Sequence, residues 1–99
     1  MFDLVEIFKA LSNRNRLRIY KTIRVRTIKC RDHGDEICCV GDVCREFKIT
    51  PSTISHHLKE LRHAGLIDME KDGQFSHISI NEEVFREIRD FFEEIEEEL

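Results

Sequence analysis

Phe47-Lys48-Ile49-Thr50-Pro51-Ser52-Thr53-Ile54-Ser55-His56-His57-Leu58-Lys59-Glu60-Leu61-Arg62-His63-Ala64-Gly65 is the stretch whose reading decides the fold. Thr50 suits an N-cap, and Pro51 sits at a first helical position, where its missing N–H sacrifices no hydrogen bond. Gly65 supplies a C-terminal stop. Between them, at about 100° per residue, Ile54, Leu58 and Leu61 cluster on one side and give the direction of the core. Opposite them lie Ser52, His56, Lys59 and His63, with Ser55 and Thr53 at the flanks. His57 falls nearer the core side and reads as a partly buried structural residue. Upstream, Val40, Val43 and Phe47 share one face of a short helix, and Lys48-Ile49-Thr50 joins the two helices as a helix-turn-helix.

Downstream, Ile67 and Met69 alternate with Asp68 and Glu70, and Ile78 and Ile80 alternate with His77 and Ser79. Asp72-Gly73 between them predicts a tight-turned hairpin, a wing. Val84, Ile88, Phe91, Phe92, Ile95 and Leu99 then form the apolar stripe of a final, acidic helix. Toward the N-terminus, Leu4, Ile7, Phe8 and Leu11 repeat at helical spacing. Ser12 is positioned to cap a second helix through Leu17, Tyr20 and Ile23, and the Asp32, Gly34 and Asp35 cluster marks residues 30–36 as a loop. The expectation is a mainly α (α+β) winged helix-turn-helix of order α-α-α-α-β-β-α, one domain over residues 1–99.

Composition bounds the setting. The 99 residues are 40% hydrophobic, contain no apolar run near the roughly 18 residues of a membrane span, and open without the plan of a signal peptide, so a cytoplasmic protein without membrane contact is expected. The formal charge of −4 argues at first against nucleic acid, but the signs are segregated. Arg14, Arg16, Arg18, Lys21, Arg24, Arg26, Lys29 and Arg31 follow one another with no acid between them. From Glu82 onward nine acids face two bases; without that tail 14 bases stand against 11 acids, a net of +3. Hydroxyls, imidazoles and an ammonium on one face of a second helix-turn-helix helix are groups that bond base edges and phosphates. The expected DNA contacts are Ser52, Thr53, Ser55, His56, Lys59 and His63, with Arg16 and Arg18 on phosphates and Lys71 and Gln74 from the wing. A winged helix used for protein contacts, with the acidic tail as its docking surface and no DNA site, is the alternative.

The run Ser55-His56-His57-Leu58-Lys59-Glu60-Leu61-Arg62-His63-Ala64-Gly65-Leu66-Ile67 resembles the recognition-helix signature of the arsenic-repressor (ArsR/SmtB) family of metal-responsive transcription factors. Leu11-Ser12 with Arg16-Leu17-Arg18-Ile19 is similar to that family's first-helix junction. Glu36-Ile37 with Cys39-Val40-Gly41-Asp42-Val43 resembles its metal box. The resemblance implies a homodimer, paired through first and last helices, that represses transcription at a palindromic double-stranded operator and is released by a metal or redox effector. Arg14 stands where the family has proline, Gly41 where it has a second cysteine, and Cys38 is an addition. The final helix holds no histidine, so the likeness does not extend to a last-helix zinc site.

The cysteines leave three readings open. Cys30, His33, Cys38, Cys39 and Cys44 gather around one loop and one helix start, so a thiolate site for zinc or an arsenic-type ion is one. Cys39 and Cys44 are five residues apart, about 140° around a helix, so such a site needs Cys38 or Cys39 ahead of the helix. Oxidation of Cys30 with Cys38 or Cys39 is the second, and small buried apolar side chains the third. Without a Cys-x-x-Cys motif or a strand-helix-strand pattern, a thiol redox enzyme is not indicated, and no enzyme is expected. The first and last helices each carry more apolar surface than so small a core accommodates, which independently points to a twin subunit.

Overall fold

The computed structural model describes residues 2–33, 40–72 and 75–98, with side chains described at all of these except 26–33, 40–42, 44, 71–72 and 75–76. The elements run α1 (Leu4–Leu11), α2 (Arg14–His33), α3 (Val40–Phe47), α4 (Pro51–His63), β1 (Ile67–Asp72), β2 (Phe75–Ile80) and α5 (Glu82–Glu98), the order expected of a winged helix-turn-helix. Among the described residues no helix is long and apolar enough to cross a membrane.

Capping explains most of the boundaries. Asp3 caps α1, its carboxylate accepting from the Val5 N–H at 3.0 Å. Ser12 does not start α2, as the sequence suggested; it closes α1, its hydroxyl donating to the Lys9 carbonyl at 2.6 Å. Asn13 is the cap of α2, its side-chain oxygen accepting from the N–H groups of Asn15 and Arg16 at 2.9 and 3.2 Å. Helix α2 also runs past the expected loop start to His33. No glycine or proline interrupts residues 14–33, so hydrogen bonding propagates up to the first breaker, Gly34.

The helix-turn-helix turns at Lys48, whose φ of 51° is a left-handed conformation unusual outside glycine. Thr50 holds the N-cap position of α4 with its hydroxyl on Thr53 Oγ1 at 2.9 Å, and Pro51 follows. At the far end Gly65 adopts φ 83°, which lets its own N–H reach the Arg62 carbonyl and the Leu66 N–H reach Leu61, both at 3.0 Å. These two bonds make a Schellman cap, and the buried pair Leu61 and Leu66 is its apolar seal. The chain then enters β1, antiparallel to β2, with Ile67 opposite Ile80, Met69 opposite Ile78 and Asp72 opposite Phe75. Asp72 is therefore a strand residue, and Gly73 and Gln74 lie outside the described residues.

One core unites these elements. Ile7, Ile19, Ile23, Val43, Ile54, Leu58, Leu61, Leu66, Ile67, Ile78 and Val84 are all essentially inaccessible. Helix α4 packs on α1, α2, α3 and β1, and β2 lies against α2. Asn81 caps α5 by accepting from the Glu83 and Val84 N–H groups, yet Val84 is the sole α5 residue classed as buried among those described.

A side chain at Gly65 would meet both strain and crowding, since its Cβ would come 3.3 Å from the Phe2 ring. Gly65→Ala is expected to lower unfolding free energy by about 1–2 kcal/mol, read as a lower urea midpoint at unchanged slope.

Candidate nucleic-acid interface

The rotation of α4 is set by what it buries. Ile54, His57, Leu58 and Leu61 face inward, and Ser52, Thr53, Ser55, His56, Lys59, Arg62 and His63 are exposed. Six of these exposed positions match the DNA contacts expected from sequence. Arg62 was not among them; it projects beside Ser55 at the flank and adds a second permanent cation to the face. Helical phase alone does not single it out, since it lies some 70° from the core direction, as close as buried His57 on the other side. Thirteen residues give α4 a length of about 20 Å, within the dimensions a major groove admits. Half-buried Glu60 is an acid near this face, and it lines a cleft of about 270 Å³ shared with Glu6, Lys9, Arg16 and His63.

His57 is the buried histidine behind the face, 6% exposed. Burial lowers its pKa below the ordinary 6.5, and the Arg16 guanidinium and neighbouring His56 push the same way. Its ring lies 6.0 Å from that of His56, so a neutral imidazole backs an exposed one.

The basic segment does not act as one surface. Arg16 is half-buried and donates from Nη1 to the Ala10 carbonyl at 3.3 Å, bracing the junction of α1 and α2. Arg18 is exposed, with its guanidinium 5.6 Å from the centre of the Phe47 ring at the end of α3. Arg24 turns to the start of α5. Its Nη1 donates to both carboxylate oxygens of Glu82 at 2.5 Å, and the guanidinium lies 4.1 Å over the Phe85 ring.

On the wing, Lys71 pairs with Ser76 in the strand register, but its side chain lies outside the described residues, as does Gln74 altogether. Glu70 stands opposite His77. Cys38 and Cys39 lie outside the described residues. Cys30 and His33 fall within the last turns of α2 and Cys44 within α3, with side chains outside the description. Helix α3 begins at Val40, so Cys39 precedes its first residue. Among the described residues no three His, Cys, Asp or Glu side chains are grouped to hold a metal ion.

Comparison with known proteins agrees with this geometry. Residues 34–69 match the family described as bacterial regulatory protein, arsR family. A helix-turn-helix-type transcriptional regulator of Bacillus subtilis, YceK, is 38% identical over 81 residues, covering 82% of this chain and 73% of that protein. The arsenical resistance operon repressor of the same organism is 36% identical over 76 residues, covering 77% and 64%. Among solved structures, an ArsR-like transcriptional regulator from Rhodococcus sp. RHA1 superposes with a TM-score of 0.70 at 18% identity, covering 96% of this chain and 80% of that one, a likeness of fold.

His57 makes stability depend on pH with a defined sign. Its folded-state pKa is depressed, so below about 6.5 the unfolded chain takes up the proton first and stability falls as pH drops from there toward the folded value. Between pH 7.5 and 5.5 the wild type is expected to lose more thermal stability than His57→Gln; parallel losses would contradict this account.

Proposed function

The chain belongs to the arsR family of bacterial regulatory proteins and is a DNA-binding transcriptional regulator, and from that premise we propose that it is a homodimeric repressor reading a palindromic operator with α4. The observation that carries this reading is the exposed row Ser52, Ser55, His56, Lys59 and His63 on a helix whose other side is locked in the core. Serine hydroxyls and imidazoles exchange hydrogen bonds with base edges, and Thr53 and Lys59 reach sugar and phosphate. Arg18 adds a phosphate contact from α2, and Lys71 and Gln74 carry the wing to the neighbouring backbone or minor groove. Arg16 reaches a phosphate only with the guanidinium edge that Ala10 leaves free. We place the regulator in the cytoplasm, where its DNA is, working as one domain over its 99 residues.

The dimer is supported by what α1 and α5 leave uncovered. Phe8, Phe91 and Phe92 form a three-ring cluster with centroids 5.4–6.1 Å apart. Around it Val5, Phe92 and Ile95 are 62%, 52% and 42% exposed, an apolar surface that a second copy would cover. Two-fold pairing there would set the two α4 helices about 34 Å apart, one turn of DNA.

The release signal acts, in this reading, on the thiols of Cys30, Cys38, Cys39 and Cys44 with His33. A zinc or arsenic-type ion is favoured over oxidation because a relative is named an arsenical resistance operon repressor. The protein would hold it through thiolates, and such an ion would supply a cross-link between α2 and the start of α3.

Three outcomes follow. Duplex binding measured by fluorescence anisotropy should weaken steeply with salt; His56→Ala should erase about 1–3 kcal/mol of sequence discrimination, while Arg18→Ala should weaken all sequences alike. Absence of salt-sensitive duplex binding would return the protein-docking alternative. Phe92→Glu should sediment as a monomer with native circular dichroism and lose cooperative palindrome binding. Arsenite or zinc added to the reduced complex should release the duplex with loss of titratable thiol; release without thiol loss would refute the thiolate site.

A further inference from the structure

Arg24 belongs to the basic run, yet its guanidinium is taken up by α5. It follows Ile23 on α2, one turn beyond Tyr20, and both of those side chains are buried in the core that orients α4. From this base its guanidinium engages two residues of α5 at once: the carboxylate of Glu82, both oxygens at 2.5 Å from Nη1, and the ring of Phe85, 4.1 Å beneath. Glu82 and Phe85 are three residues apart and neighbours on one side of the first helical turns. We propose that Arg24 is a positioning residue that fixes the angle of α5 to the DNA-reading body and thereby the spacing between the two recognition helices of the dimer. The proposal rests on the dimeric reading above.

The body buries α5 most completely at its beginning, and farther along the Phe8 ring of α1 meets Phe91 and Phe92 at centroid distances of 5.7 and 6.1 Å. Val84 is buried and Phe85 and Ile88 are partly buried against the core, whereas every residue from Phe92 to Glu98 is exposed. Apolar contacts are non-directional, so Val84 and Ile88 resist separation more than rotation or tilt. An ion pair with a ring stacked under the same guanidinium adds two directional restraints from one rigid, planar group. The pair is partly shielded from water, at 22% and 31% side-chain exposure, so it is screened less than a surface pair. Tyr20 beside it is a neutral phenol up to about pH 12, chiefly because it is buried, so it sets no second anion against Glu82.

Leverage turns this local restraint into a functional one. Seventeen residues make α5 about 25 Å long, so a tilt of about 10° at its first turn moves the far end by about 4 Å. The rise per base pair is about 3.4 Å. A tilt of that size is comparable, at the pairing end of the helix, to the spacing of one base pair, and in the dimer would be felt as a shift of one half-site relative to the other.

The test uses a palindromic duplex enriched by the wild-type protein from a random library, and the same duplex with one base pair added or removed at its centre. Wild type is expected to favour the selected spacing by about tenfold or more. Arg24→Met, which keeps the aliphatic stem, should cut that preference to about threefold or less while leaving affinity for an isolated half-site within about twofold. The exchange of Arg24→Glu with Glu82→Arg should restore spacing preference, an outcome that a role limited to stability does not produce. Glu82→Gln provides the same reading should Arg24→Met fail to fold. Unchanged spacing preference in a dimeric Arg24→Met overturns the proposal alone, and so does an equal loss of half-site affinity. A wild type that sediments as a monomer or shows no spacing preference overturns the dimeric reading and this proposal together.

Discussion

Everything this chain presents to DNA depends on the burial of Ile54, Leu58 and Leu61 against α1, α2 and β1. Three branched side chains with essentially no accessible surface fix α4 in rotation as well as position, because a turn of the helix by one residue would bring a serine or histidine into the core. Such an exchange would strip polar groups of water without partners, at a cost of about 1–3 kcal/mol each. The polar row of α4 is thus held outward by the apolar row behind it. The Schellman cap at Gly65 locks the end of the helix, and the buried Leu66 after it leads the chain straight into the wing.

Charge is arranged to suit that geometry. With its cap, α1 and α5 together carry eleven acids and three bases, a net of −8, which leaves +4 on the rest of a chain of −4. A polyanion would orient such a molecule with α1 and α5 outward and α4 inward before any contact forms. Within the positive half the arginines divide their work. Arg16 braces a helix junction, Arg18 stays exposed over Phe47, and Arg24 crosses to α5. His57 belongs to the same economy of charge: placed beside Arg16 and away from water, it is kept neutral and packs as part of the core.

The segregation also separates two jobs that a small fold must do at once. Helix α4 is fixed by the buried row along its inner side, whereas α5 is buried at its start, touches α1 through Phe91 and Phe92, and presents apolar surface beyond. A helix with that profile is suited to pair with another copy, and the guanidinium at its root links the pairing surface to the reading surface through α2.

What could be read from the amino-acid order alone was whatever depends on neighbours within about four residues. The phase of Ile54, Leu58 and Leu61, the proline at the start of α4, the glycine at its end and the alternation on either side of Asp72-Gly73 each carry their own physics, and they made the winged helix-turn-helix and its exposed face legible. The same locality produced the errors. Ser12 and Asn13 are both good caps, and only the realised bonds show which helix each serves. Asp72, read from its Asp-Gly pair as a turn residue, pairs with Phe75 within the strands, because register is set by side chains that face one another across the sheet. Cys30 proved helical because α2 meets no breaker before Gly34. Arg24 and Glu82 are 58 residues apart, and Phe8 and Phe91 still farther. Nothing in local periodicity couples such positions; they meet because α2, α1 and α5 pack around one core, and that packing is a property of the whole chain.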